Sequence, residues 1–302
     1  MTLISVPCPV CDQTDFAPLY PSTIEQPDEN PASYFSSGRT QAGYLPIVRC
    51  RACGLVQQSP RDDLATLNAV YGSLSDGVYD SEDKNRDRDA KAHLDLVLSQ
   101  QKPPARLLDV GCSTGTFAAR AQQAGFEAAG IDASHWAIER AKARRSGADF
   151  RSGTLESAAF PERSFQVVTL FDVLEHVHSP NEALAHIHRW LSPGGLLVMS
   201  LPNASSWVAK AMGKRWVLLL REHLWYFSPA TVGRLLERAG FQLVKTRPKW
   251  VSFSLGNIAT RAAQYPGPLA GPTAMLAKSA LLRRAPARFP MGEMDVVARR
   301  AE

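Results

Sequence analysis

The sequence predicts an α/β fold: a largely parallel sheet flanked by helices, with a small cysteine-bearing module ahead of it. Three observations predict this. Arg106-Leu-Leu-Asp-Val-Gly-Cys-Ser-Thr-Gly-Thr-Phe117 runs from an apolar strand through an acid into a glycine turn. A second apolar run ends at Gly130-Ile-Asp132, and strand-like and helix-like segments then alternate to residue 248. Two C-x-x-C pairs, Cys8 with Cys11 and Cys50 with Cys53, precede them. Strands alternating with helices are the pattern of a parallel sheet.

The first strand ends at Asp109 and the second at Asp132. In an open parallel sheet, ligands bind beyond the carboxyl ends of the strands, and a carboxylate there can accept both ribose hydroxyls of a nucleoside. A dinucleotide site needs G-x-G-x-x-G so that backbone can approach a pyrophosphate. Here Gly111 and Gly115 are present, but Ser113 and Thr116 fill the other places, and Asp109 would repel a phosphate. The loop suits a ligand carrying an ammonium group.

The later segments continue the series. Ser164 to Phe171 reads as a buried strand and is followed by Asp172-Val-Leu-Glu-His-Val177. Ser179-x-x-Glu182, with Pro180 at the first helical position, starts a helix whose inner face carries Leu184, Ile187 and Leu191. Pro193-Gly-Gly195 stops it before the strand Leu196 to Leu201. Ser228-Pro229 opens a helix running to Gly240, with Val232, Leu235 and Leu236 inward. Phe241–Thr246 and Asp295–Arg299 are the final strands expected.

Asp109-x-Gly-x-x-x-Gly115, Gly130-x-Asp132 and the "DVLEHV" and "PGG" segments, in this order, resemble class I S-adenosylmethionine-dependent methyltransferases. The resemblance covers about residues 104–248 plus the last strand, and departs from the usual glycine at Ser113. It implies a Rossmann-like seven-stranded sheet whose last strand is antiparallel. It also implies that Asp109, Gly111 and Gly115 shape the amino-acid side of the cofactor pocket and that Asp132 holds the ribose. By position in such a fold, Thr154 and Leu155 flank the adenine and Phe171 meets the methionine portion. Cys112 sits inside the same loop and is counted with the cofactor-binding residues, as a small buried filler.

Composition bounds the rest. The chain has 302 residues, 45% hydrophobic and 21% charged, an ordinary globular balance. No leader-like start and no long apolar run appear, so a cytoplasmic protein is expected. From Lys245 onward ten Lys and Arg face three Asp and Glu, whereas the preceding residues are near neutrality. This basic segment is either a solvated surface or a cationic wall for an anionic acceptor.

The two C-x-x-C pairs each resemble a zinc knuckle, and together Cys8, Cys11, Cys50 and Cys53 form a closed set of four thiolates, structural rather than catalytic. Their 38-residue separation leaves room for a hairpin near Tyr44–Val48. Disulfides are disfavoured in a cytoplasmic chain. The expected organisation is a zinc ribbon over 1–62, a helical lid or linker over 63–103, and a methyltransferase domain over 104–302. Acceptor-binding insertions are expected at about 204–227 and 250–292. Within the linker, Ala90–Gln100 reads as a helix, and Tyr71 and Tyr79 either approach the substrate or pack the ribbon on the core.

Methyl transfer needs alignment and often a base. Two histidines border the expected cleft: His176, beside Glu175, and His223, beside Glu222. His223 is the preferred base because the Glu222-His223 pair resembles the base region of zinc-ribbon sugar methyltransferases. In quinone-pathway O-methyltransferases, the cluster matching Asp172, Glu175 and His176 is implied to hold a divalent cation. The aromatic stretch Trp207–Phe227, interrupted by Lys210, Lys214 and Arg215, is either an amphipathic cover for a lipid-linked acceptor or a core-packing element. The leading expectation is methylation, at oxygen or carbon, of a small molecule such as a sugar, glycan intermediate or secondary metabolite. One alternative is an RNA methyltransferase using ribbon and basic tail, which the near-neutral body disfavours. The other is a non-catalytic module binding S-adenosylmethionine and zinc.

Overall fold

The computed structural model describes residues 2–24, 43–73, 83–144, 147–155, 157–254 and 286–302. Tyr79 and the greater part of the expected 250–292 insertion lie outside the described residues, as does the side chain of Tyr71. The N-terminal region holds β1 (Leu3–Ile4), β2 (Phe16–Tyr20), β3 (Ile47–Cys50), β4 (Val56–Gln58) and β5 (Arg61–Asp62), then helices α1 (Leu64–Ser73) and α2 (Asp83–Leu98). The core follows with β6 (Arg106–Val110), α3 (Thr116–Gln123), β7 (Glu127–Asp132), α4 (His135–Arg144), β8 (Asp149–Ser152), β9 (Phe165–Phe171), α5 (Pro180–Trp190) and β10 (Leu191–Pro202). It ends with α6 (Trp207–Met212), β11 (Trp225–Tyr226), α7 (Pro229–Arg238), β12 (Phe241–Ser254) and β13 (Pro286–Arg300).

The seven-stranded sheet runs β12-β13-β10-β9-β6-β7-β8. Pairs from β10 to β8 are parallel, and β13 is antiparallel to both of its neighbours. This is the α/β methyltransferase sheet that the motifs imply. Side chains alternate across it: Leu108 and Val110 join one core cluster and Leu107 the other, all fully or nearly buried. Covering on both faces explains why these strands read as continuous apolar runs. The chain runs outward from β6 to β8 and then returns to β9 on the other side of β6. That reversal opens a crevice at the carboxyl edge, beside Asp109.

The helix signals operate locally. The Ser179 hydroxyl accepts from the Glu182 N–H, and Ala183, Leu184, Ile187 and Trp190 are buried. Ser228 and Thr231 form a reciprocal capping box on α7, whose Val232, Leu235 and Leu236 face inward. Three expectations need correction. Helix α2 begins at Asp83, not near Ala90, because its charged run finds partners: Asp87 accepts from Arg120 Nε of α3 at 2.7 Å, and Asp89 accepts from the Ser252 N–H of β12 at 3.2 Å. Strands β12 and β13 extend well beyond Thr246 and before Asp295, since they pair with each other as far as Ser254 and Pro286. Much of the described basic tail is also spent inside the fold: Arg299 and Arg300 donate to backbone carbonyls, Arg247 pairs with Asp295, and Lys249 is buried.

The N-terminal module is joined to the core by a shared sheet of order β11-β4-β3-β2, in which β11 comes from the core. A cluster of Tyr44, Ile47, Val56, Val208, Ala209, Trp216, Leu219 and Tyr226 fills the junction. The aromatic stretch is therefore mainly a packing element. Trp207, 70% exposed, and Met212 are the exceptions.

Candidate active site

The crevice has two lobes that share Gly111 and Asp172. The larger, about 430 Å³, is lined by Asp132, Thr154, Leu155, His176 and Glu222, and by Leu64 and Leu67 of α1. The smaller, about 200 Å³, is lined by Asp109, Cys112, Phe171, Arg86, Lys249 and Glu293, among others.

The glycine loop between them is shaped by close packing. Gly111 has φ +71°, and a Cβ there would collide with Cγ2 of Val173. Ser113 holds the left-handed conformation, φ +49°, that a glycine usually takes, and its N–H donates to Asp132 Oδ2 at 2.8 Å. Asp132 Oδ1 accepts from the Ser134 N–H, also at 2.8 Å. Each carboxylate oxygen has about two acceptor positions, so both retain capacity for a ribose hydroxyl. Gly115 caps α3 with φ +75° and packs against Phe150; it is not among the lining residues. Asp109 is almost fully buried and accepts from Thr169 Oγ1 at 2.7 Å. Burial, with a smaller contribution from Asp132, pushes its carboxyl up to about 7. Such a group gains from a cationic ligand, which would restore its charge. These residues fit the sulfonium nucleoside: acids at both ends and a glycine floor between them.

At the junction of the lobes stands Asp172, φ +58°. Lys249 Nζ donates to both its oxygens at 2.8 and 2.6 Å and also to Ser200 Oγ at 3.1 Å, while Glu293 lies 3.6 Å away. Burial alone would raise the Asp172 carboxyl, but the ammonium overrides it and holds it at about 2. Glu293, by contrast, is pushed up to about 7 by burial, despite Lys249. His93 stacks flat on Phe171 at 3.8 Å, and burial and then Lys249 lower its imidazole to about 3. Of the implied cation cluster of Asp172, Glu175 and His176, the last two gather with His223, while Asp172 is the ion-pair partner of Lys249 from β12.

The histidines lie just past this point. His176 lines the larger lobe, its Nδ1 3.0 Å from the Glu222 carbonyl. His223 is edge-on to His176 at 4.7 Å, with Nδ1 2.9 Å from the Leu218 carbonyl, and is not among the lining residues. Glu175 is buried, and its carboxyl is raised well above the usual range by burial and by Asp172. Ligand-type atoms of Glu175, His176 and His223 lie within 4.8 Å of one another.

The four N-terminal cysteines also converge, all Sγ atoms within 4.8 Å. The shortest contacts join opposite knuckles: Cys8 to Cys53 at 3.4 Å and Cys11 to Cys50 at 3.5 Å. Four thiolates at about 2.3 Å from a zinc ion stand roughly 3.8 Å apart, so the set has the right size and composition. Each knuckle turns through a positive-φ residue, Asp12 or Gly54.

A methyltransferase-domain family matches residues 83–246, over half of the chain. The chain belongs to the class I S-adenosylmethionine-dependent methyltransferases. Among similar proteins, the ubiquinone biosynthesis O-methyltransferase of Cereibacter sphaeroides is 34% identical over 166 residues, 51% of this chain and 67% of that protein. A demethylmenaquinone methyltransferase of Renibacterium salmoninarum is 36% identical over 98 residues, 32% of this chain and 41% of that protein. The fold is also that of magnesium protoporphyrin IX methyltransferase from Synechocystis, solved with bound SAH: TM-score 0.52, 14% identity, covering 79% of this chain and 100% of the other.

Lys249, Glu293, Arg86, His93 and the α1 leucines were not legible as site residues. Lys249 and Glu293 face each other across the β12–β13 ladder, 44 positions apart in sequence. An opposite-charge cross-strand pair is the only signal, and it needs the register to be known.

Proposed function

We propose that this chain methylates a hydroxyl of a small aromatic acceptor, of the chemical class of quinone precursors. The likeness to the ubiquinone biosynthesis O-methyltransferase supports oxygen methylation, and both quinone-pathway relatives support an aromatic acceptor over a sugar or glycan. One observation carries the assignment of a base: His176 stands on the cleft wall with Nδ1 held at the Glu222 carbonyl. That contact fixes the tautomer in which Nε2 is the basic nitrogen. The cofactor, when bound, supplies the transferable methyl group. Asp132 and Asp109 would hold its two ends beside the glycine loop, and His176 would take the acceptor's hydroxyl proton. Burial keeps His176 below its ordinary value, hence neutral at pH 7. The geometry favours His176 over His223 as base, with Glu222 and His223 supporting it.

Cys8, Cys11, Cys50 and Cys53 would hold a structural zinc ion, a closed site that supplies rigidity and no chemistry. The division into a ribbon over 1–62, a linker over 63–103 and a catalytic domain over 104–302 goes with this reading, as does a cytoplasmic location. No described helix is long and apolar enough to cross a membrane. Exposed Trp207, with Lys210, Lys214 and Arg215 nearby in sequence, supports a lipid-linked acceptor. The test uses labelled S-adenosylmethionine and a short-tailed catechol. His176→Gln should lower kcat by about 10²–10⁴ with cofactor affinity retained, and the wild-type acid limb should lie below about pH 6.5. An unchanged kcat rejects the assignment.

A further inference from the structure

The contacts between the cysteine module and the core converge on one loop. Strand β11 completes the module's sheet, with Trp225 opposite Gln57 and Tyr226 opposite Val56. Immediately before it runs the segment 220–224, which carries Glu222 and His223. Gln58 is wholly buried, and its Nε2 donates to the Leu220 carbonyl at 2.7 Å, to the Arg221 carbonyl at 3.1 Å and to the His223 carbonyl. Its backbone N–H donates to the Leu224 carbonyl at 3.0 Å. One amide group therefore gathers three carbonyls of a tight loop that has no ladder partner of its own.

The loop in turn touches the cleft. The Glu222 carbonyl holds Nδ1 of His176, and the Leu224 N–H donates to the Glu175 carbonyl at 2.8 Å. A parallel brace runs from Arg61, which lies over the Trp225 ring at 4.0 Å and donates to the His178 carbonyl at 2.9 Å. Trp225 Nε1 donates to the Val177 carbonyl at 2.8 Å. From β4 to His176 the path is one side chain and one loop.

We infer that Gln58 is a positioning residue for the acceptor side of the cleft, and that the cysteine module is a structural limb of that site rather than a separate binding domain. The inference rests on the reading of His176 as the cleft base. Gln58→Met keeps the volume and removes both donors, so the three loop carbonyls lose their shared bond to β4 while the glycine loop and Asp132 are untouched.

The test compares wild type, Gln58→Met and Arg51→Ala, the last removing only an exposed ion pair of the module with Asp15. Amide exchange over residues 218–227 should quicken by about ten-fold or more in Gln58→Met. It should stay at wild-type rates in Arg51→Ala. Stripping metal from the wild type with a chelator should reproduce the Gln58→Met pattern, which keeps the test valid if that variant folds poorly. S-adenosylmethionine affinity by calorimetry should change by less than about two-fold, because none of the altered contacts involves Asp109 or Asp132. The His176 Nδ1 resonance should shift, and kcat with the catechol should fall while the cofactor KM holds. Wild-type exchange over 218–227 after either perturbation overturns the inference. Faster exchange with an unmoved His176 resonance also overturns it. Absence of catechol methylation by the wild type would strike the proposed function instead, leaving exchange and resonance to decide this point.

Discussion

Asp62→Asn isolates a single buried interaction between module and core. Asp62 accepts from Arg221 Nε and Nη2, each at 2.8 Å, and both side chains are 0% exposed. Taking away one charge of such a pair deprives the other, still dry, of its bidentate counter-ion, which costs about 3–5 kcal/mol. An exposed pair is a useful contrast: Arg51–Asp15, with side chains 60% and 75% exposed, should be worth under about 1 kcal/mol. In urea unfolding, with a slope of roughly 3 kcal/mol/M for a chain of this size, Asp62→Asn should move the midpoint down by about 1–1.7 M. Adding about 1 M salt should leave that difference in place, because screening acts weakly on a pair with no solvent contact. The double variant Asp62→Leu with Arg221→Met removes both charges. It should cost much less than the two single changes together. A single-variant loss below about 1 kcal/mol, or strict additivity in the cycle, would refute the argument that this pair is dry and coupled.

Two further outcomes concern the cofactor pocket. Asp132→Ala should weaken S-adenosylmethionine binding at least about 100-fold, two charge-assisted hydrogen bonds at roughly 1.5 kcal/mol each, with circular dichroism unchanged; unaltered affinity in calorimetry removes the ribose assignment. Asp109 supplies a pH dependence. Its folded-state carboxyl is raised to about 7, so the folded apoprotein loses stability as pH rises from the ordinary carboxylate range towards 7. The cationic cofactor needs the ionised form, so its affinity should rise about ten-fold between about pH 6 and 8, and Asp109→Asn should flatten that slope; a level profile in the wild type contradicts the role given to Asp109.

Local chemistry made part of the molecule readable. Asp109, Gly111 and Asp132 belong to one strand–loop–helix–strand unit, and Ser179 and Ser228 cap the helices that follow them directly. What required distant pairing did not read. Lys249 acquires its role only because β12 lies beside β13 and reaches Asp172, and nothing near it in sequence marks this. Gln58 is one polar residue in a three-residue strand until β11, itself two residues long, is laid next to it. The choice between His176 and His223 turned on the same problem: both follow a glutamate in sequence, but only the fold brings His176 alone to the cleft wall. The sequence predicts α2 only from Ala90, where its apolar stripe starts, yet one helix face packed on α3 suffices to order it from Asp83.

The strand that the core lends to the N-terminal sheet has a further effect. Without Trp225 and Tyr226 alongside, β4 would offer a bare row of amides and carbonyls, the sort of margin that recruits whatever strand is at hand. A neighbouring copy carries the same dipeptide in the same geometry. Crowded or partly unfolded chains thus have a ready means of exchanging this piece with one another, yielding intertwined pairs in which each protomer repairs the other's sheet.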